Sequence, residues 1–193
     1  MEEVTEYYFK NSEEWRTWLE AHFHQEKGIY LIFYAVDHPK ESMRWEEAVR
    51  VSLCYGWIDS TVKSLGDGKR RQYFCRRKPK STWSKRNKEH IRSLKAEGLM
   101  HHSGLASIKT AKKNGSWDAM DQVEKGILPV DLRKEFEQNP DAYANFKKFT
   151  FGQRKSYLYW LHQAKREGTR QKRIAEIIRL SSLNIKSRNP YLT

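Results

Sequence analysis

Two β-prone runs separated by Gly66-Asp67-Gly68 limit the folds open to this chain more than any other feature. Glycine reaches positive φ without steric cost, so residues 57–65 and 69–77 are predicted to turn back on one another as an antiparallel hairpin. A third run, residues 29–36, is continuous in β-branched, aliphatic and aromatic side chains and follows Gly28 directly. It reads as a buried strand beside the hairpin. Helical periodicity surrounds these strands. Asn11 and Glu14 have capping-box spacing, and Trp15, Trp18, Leu19, His22 and Phe23 follow on one helical stripe. Ser42 is placed to cap a second helix, in which Trp45, Ala48, Val49, Ser52 and Leu53 repeat the spacing until Gly56. After Pro79, Ser84 offers a cap for a helix over 85–97, and Ser103 is the expected start of another carrying Leu105, Ile108 and Ala111.

Beyond Trp117 the periodicity is helical only. Asp131 and Pro140 mark two short helix starts. Tyr157, Leu158, Leu161 and Ala164 define one amphipathic helix, and Ile174, Ile177 and Ile178 another, expected to begin near Thr169. The fold class is therefore α+β: a small antiparallel sheet, a strand plus a hairpin, packed with helices and followed by a helical C-terminal unit. The expected division is 1–120 and 121–193, with residues 118–128 as the candidate linker. Seven Trp, ten Tyr and eight Phe provide the large core pieces that a hydrophobic fraction of 38% would not by itself promise.

Charge is the second constraint. The chain carries a net +13, but residues 1–50 hold eleven acidic and six basic side chains, so the excess lies downstream. Such asymmetry draws in anionic partners: an acidic protein, a phosphorylated ligand or nucleic acid. The N-terminus is acidic and lacks an apolar run, and no stretch reaches the length of a transmembrane segment. A cytoplasmic location is expected, in keeping with two isolated cysteines, Cys54 and Cys75, that suggest neither a disulfide framework nor a metal site. No cofactor is implied.

The positive charge peaks between Lys69 and Lys88, where ten side chains are basic and none is acidic. This segment comprises the returning strand, a proline-containing loop and the start of the Ser84 helix. A helix N-terminus presents free N–H groups, so Arg76, Arg77, Lys80, Ser81, Ser84, Lys85 and Asn87 form the candidate anion-binding set. The alternative is a plain cap with Trp83 packed as a staple and the cations solvated. Trp57, Asp59 and Trp83 form a candidate pocket. Asp59 is either a base or a cross-strand partner for Arg76 or Arg77.

Signatures of catalysis are sparse. There is no phosphate-binding glycine loop, no His-Glu-X-X-His and no Gly-X-Ser-X-Gly. Cys54 reads as a small core residue. Arg71 and Arg77 would favour a Cys75 thiolate, for which His90 is the nearest base in sequence. No catalytic residue is assigned. His101-His102 does not form a metal-binding pair.

These residues together give the chain a family resemblance. It resembles the YdeI/OmpD-associated, or bacteriocin-protection, family. In the first half the likeness rests on residues 48–60 through Gly56-Trp57-Ile58-Asp59-Ser60, on Arg77-Lys78-Pro79-Lys80-Ser81, and on Trp83-Ser84-Lys85 with Asn87. In the second half it rests on Pro129, Asp131-Leu132, Phe136, Arg154, Tyr157, Trp160, Ala164-Lys165-Arg166, Thr169-Arg170 and Lys172-Arg173-Ile174. Cys75-Arg76 stands where Thr-Pro or Ser-Pro is expected, and Gly168 where an acidic residue is usual. The resemblance implies a link to antimicrobial-peptide resistance and carries no catalytic residue set. Thr169, Arg170 and Arg173 form a second cluster, either an anion cradle or, through Arg170 to Asp131 or Glu135, a structural tie. Three functions remain open: a non-enzymatic accessory protein that binds an anionic partner, a nucleic-acid-binding protein, and a small-molecule enzyme using Cys75 or Asp59.

Overall fold

A computed structural model describes residues 4–25 and 27–188. It divides into two compact units, Met1–Ala119 and Met120–Thr193.

The first unit runs β1 (Glu6–Tyr8), α1 (Ser12–His22), β2 (Ile29–Tyr34), α2 (Trp45–Cys54), β3 (Trp57–Gly66), β4 (Lys69–Arg76), α3 (Lys85–Ala96) and α4 (His102–Lys113). The strands form one sheet in the order β1-β2-β4-β3. The hairpin and the buried strand pair antiparallel, with Ile29 opposite Phe74, Leu31 opposite Gln72 and Trp57 opposite Arg76. The strand β1 was not anticipated. It joins the edge parallel to β2 and makes the sheet mixed, and its three residues are too few to show a periodicity.

Alternation along the strands sends Ile29, Leu31, Phe33, Trp57 and Phe74 into a core shared with Trp15, Leu19, Val49, Leu53, Trp83, Ile91, Leu94 and Ile108 from the helical side. Trp15 is fully buried and its Nε1 donates to the Ala48 carbonyl, so truncating it to Ala should cost about 3–5 kcal/mol. The opposite sheet face, with Tyr30, Tyr34 and Tyr73, contributes nothing to this cluster.

The helix ends follow the sequence in two places and depart from it in two. Asn11 Oδ1 accepts the N–H groups of Glu13 and Glu14, and Ser84 Oγ accepts that of Asn87. The cap of α2 is Arg44 rather than Ser42, whose hydroxyl donates to the Met43 carbonyl. The cap of α4 is His101 rather than Ser103, with the His101 Nδ1 accepting from the Ser103 N–H. Two glycines set the spacing around the α2 C-terminus. Gly56 ends the helix at φ +75, and a Cβ on Gly104 would lie 2.1 Å from the Cys54 carbonyl oxygen. Only glycine lets α4 approach the α2 C-terminus this closely.

The second unit is helical: α5 (Asp121–Glu124), α6 (Val130–Gln138), α7 (Pro140–Lys148), α8 (Phe151–His162) and α9 (Glu167–Ser182). Leu132, Phe136, Phe146, Tyr157, Leu161 and Ile177 form its core. Residues 118–128, the candidate linker, contain α5 and bury Met120 and Val123 in that core, so from Met120 onward the stretch is part of the packed unit. Pro140 occupies the first turn of α7, where its missing N–H costs nothing.

Candidate functional site

Where β4 ends, its last register pair holds Arg76 beside Trp57, and the Arg77 N–H donates to the Gly56 carbonyl at 2.9 Å. Arg76 and Arg77 thus arrive together beside the α2 C-terminus, which Gly56 and Gly104 hold close to α4. The three elements enclose a cleft of about 270 Å³, lined by Arg76, Arg77, Ser103, Ser107 and Thr110 together with Phe23, His24, Tyr55, Gly56, Pro79 and Ala106.

The two arginines differ in environment. Arg76 is exposed, and its Nη1 donates to the His24 carbonyl at 3.2 Å. Arg77 is sunk. Its guanidinium carbon lies 3.7 Å from the ring centroid of Trp83, which is fully buried and packs on Trp117. Its Nη1 donates to the Thr82 carbonyl at 2.8 Å and reaches Ser81 Oγ at 3.4 Å. Nε and Nη2 are both buried without a hydrogen-bond partner. Burial pulls the Arg77 guanidinium down to about 10, and the charge of Asp59 only partly opposes that. Two orphaned donors on one desolvated cation are costly.

On the far wall, Ser103, Ser107 and Thr110 stand at i, i+4 and i+7 of α4, a spacing that puts three hydroxyls on one helical face. Ser103 Oγ donates to the Tyr55 carbonyl at 3.0 Å, which secures the helix start against the α2 C-terminus. Behind that wall, Tyr55 donates its phenol proton to Glu20, and burial followed by that bond pushes the phenol up to about 12. His101 stacks on Tyr55 at 4.8 Å, and burial followed by repulsion from His102 lowers it below the usual histidine range.

Of the anion set read from the sequence, Arg76 and Arg77 line the cleft and Ser81 supports Arg77. Lys80, Ser84, Lys85 and Asn87 do not line it. Ser84 acts as a cap for Asn87, Lys85 lies on an exposed helix face with Nζ 3.9 Å from Glu89, and Lys80 is exposed on the loop. Trp57, Asp59 and Trp83 do not line it either. Trp57 is fully buried with Nε1 donating to the Phe23 carbonyl, and the Asp59 carboxylate accepts from Trp45 Nε1 and Gln72 Nε2. Asp59 acts on Arg77 through its field and is bonded to neither arginine of the expected cross-strand pair. His24, Ser103, Ser107 and Thr110 were missed, although the hydroxyl spacing on α4 was there to be read.

Two expectations need correction. The Cys75 thiol is pushed up, because burial outweighs the nearby Lys78 and Arg77 charges, so it is not an activated thiolate. In the second unit, α9 begins at Glu167, which puts Thr169 inside the helix rather than at its cap. Arg170 makes a two-point bond to Asp131, while Arg173 donates to the Trp160 carbonyl and lies 5.0 Å over its ring. Arg170 and Arg173 thereby tie α9 to α6 and α8.

Among the described residues no group of three His, Cys, Asp or Glu side chains could hold a metal ion, and no helix is long and apolar enough to cross a membrane. Two family models match the chain. Residues 7–107 match the one described as a domain of unknown function (DUF8412), and residues 125–184 match the one described as Bacteriocin-protection, YdeI or OmpD-Associated. The family expected from the sequence is thus found, and its model matches in the helical unit. No curated protein and no solved structure matches.

Proposed function

The chain belongs to the family described as a domain of unknown function (DUF8412), and from the geometry of its cleft we propose that it is a non-enzymatic accessory protein that binds an anionic partner through Arg76 and Arg77. The single observation behind this reading is the Arg77 guanidinium, desolvated on Trp83 with two donors unused. A phosphate or carboxylate group fits the donors on offer: two guanidinium groups on one wall and the Ser107 and Thr110 hydroxyls on the other. The cleft is small, so it takes a compact anionic group, either free or carried on an acidic or phosphorylated protein. The match of the helical unit to a bacteriocin-protection family suggests the setting, resistance to antimicrobial peptides. Two unbridged cysteines support a cytoplasmic location.

The test is calorimetric titration with inorganic phosphate and with a phosphoserine peptide, on the wild type and on Arg76→Gln and Ser107→Ala. Saturable binding that weakens about tenfold in each variant is expected. Absence of saturation, or affinity untouched by both substitutions, overturns the reading. Expression in peptide-sensitive cells tests the setting separately.

A second reading, nucleic-acid binding, draws on the sheet face turned away from the core. Tyr30 and Tyr73 face each other across β2 and β4 at 5.3 Å, Arg71 lies 4.5 Å over Tyr30, and Lys40 lies 3.9 Å over Tyr8. Rings and cations in this arrangement suit unstacked bases and phosphates. Binding to short single-stranded oligonucleotides that falls steeply with salt and is lost in Tyr30→Ala would favour it, and salt-independent binding would exclude it.

A further inference from the structure

The hairpin of β3 and β4 extends beyond the helices packed on it, and beneath its overhang lies a cavity of about 710 Å³ that shares no lining residue with the Arg76–Arg77 cleft. Phe33 and Met43, both buried, form its floor together with the half-buried Trp45. The Trp45 ring is fixed, because its Nε1 donates to Asp59 at 2.9 Å. Val62 forms one wall. It pairs with Gln72 and so points to the core side of the sheet, yet it is 54% exposed, because no helix covers this part of the hairpin. At the mouth, Arg44 and Arg70 are both exposed. Among the described residues neither has a carboxylate within ion-pair distance, and Arg70 instead lies 5.5 Å over the Phe33 ring. Of the remaining charged lining residues, Lys69 is a cation and Asp67 a carboxylate.

An apolar, preformed floor with cations among its lining is the pattern of a small-molecule site, and the volume falls within the usual range of about 300–1,000 Å³. We propose that this groove is a second binding site, for an amphiphile with a single carboxylate head on an apolar chain. The apolar chain lies on Phe33, Met43 and Trp45 and shields Val62 from water, while the carboxylate meets Arg44 and Arg70, which as planar guanidinium groups can each bind it through two donors. The charge at the mouth selects the head, and the apolar floor selects the tail. A compact anion such as phosphate would leave the floor wet, so the two sites take different ligands.

The probe is decanoate below its micellar concentration, followed by the Trp45 indole N–H resonance and by calorimetry, with decanol and acetate as ligands that lack the head or the tail. Decanoate is expected to bind saturably, and decanol and acetate at least about tenfold more weakly. The Arg44→Gln, Arg70→Gln double variant should weaken decanoate about tenfold and leave decanol unchanged. Val62→Asp, at an exposed position, should abolish decanoate binding. Phosphate binding at Arg76 should survive both variants, so failure at one site is distinguishable from failure at the other. Equal affinity for decanol and decanoate, or decanoate binding indifferent to both variants, overturns the proposal.

Discussion

Replacing Arg77 with Met separates a binding role from a structural one. Burial pulls the guanidinium well below its ordinary range, to about 10, and at about 1.4 kcal/mol per pH unit the fold spends about 3 kcal/mol to keep that charge in place. Stacking over Trp83 at 3.7 Å returns about 1–2 kcal/mol, and the charged hydrogen bond to the Thr82 carbonyl about 1.5–3 kcal/mol. These terms nearly cancel. An unbranched apolar side chain of similar length keeps the packing on Trp83 and leaves the exposed Thr82 carbonyl to water. Arg77→Met should therefore lie within about 1 kcal/mol of wild type in urea denaturation, as replacements of buried charges by apolar groups often do. It should also abolish phosphate binding. In the wild type, phosphate at one hundred times its Kd should raise stability by about 2.7 kcal/mol, and in the variant by nothing. A loss of more than about 3 kcal/mol with phosphate affinity retained would refute the reasoning, because Arg77 would then be a strut and its two unused donors an accident of packing.

Three further outcomes follow from particular contacts. Gly104→Ala places a Cβ 2.1 Å from the Cys54 carbonyl oxygen, backbone that cannot move aside, so a loss of about 3 kcal/mol or more is expected in thermal or urea melts, with the cleft distorted as α4 is pushed away. His90 and His101 are both held below the usual 6.5, chiefly by burial, so the folded state disfavours their charged forms. Their contribution is complete above pH 6.5 and is lost as pH falls below it. Tm should accordingly drop on acidification from pH 7 to pH 5, and less so in His101→Asn, which keeps an acceptor for the Ser103 N–H. Asp131 is held below the usual carboxylate range, first by its bond to Arg170, so the pair stabilises above the ordinary value of 3.8 and the benefit fades as pH falls through the lower folded value. Asp131→Asn should cost about 1 kcal/mol at pH 7 and little at pH 3, the pair being half-exposed and screened.

How much of this was legible beforehand depended on whether the cause was local. The hairpin, the Asn11 and Ser84 caps and the helical C-terminal unit follow from turn chemistry and periodicity, which act within a few residues. The caps at Arg44 and His101 displaced Ser42 and Ser103 because packing set where each helix begins, and a propensity of about 1 kcal/mol yields to that. The parallel edge β1 needs a partner more than twenty residues away, and nothing in Glu6-Tyr7-Tyr8 announces it. At the candidate site the basic segment was legible and its opposite wall was not. Arg76 and Arg77 belong to a visible run of charge, whereas Ser107 and Thr110 gain their meaning only from the approach that Gly104 allows between α4 and the α2 C-terminus.

The same distinction governs how the net charge should be read. Part of the positive charge is already engaged: Arg50 with Glu97, Arg71 with Glu6, Arg86 with Glu46, Arg170 with Asp131, Arg179 with Glu176. Such pairs at half-exposed positions are worth little individually, and they leave little field for a ligand to meet. Arg77 differs because two of its buried donors lack a partner, and Arg44 and Arg70 because they border an apolar floor with no carboxylate within ion-pair distance among the described residues. A cation already met by a carboxylate gains less from an incoming anion than one left short of partners. The sum of charges in the sequence cannot separate these cases, since Arg71 and Arg77 count alike. What separates them is whether the fold supplies the counter-charge, and where it withholds one the surface has an affinity left to express.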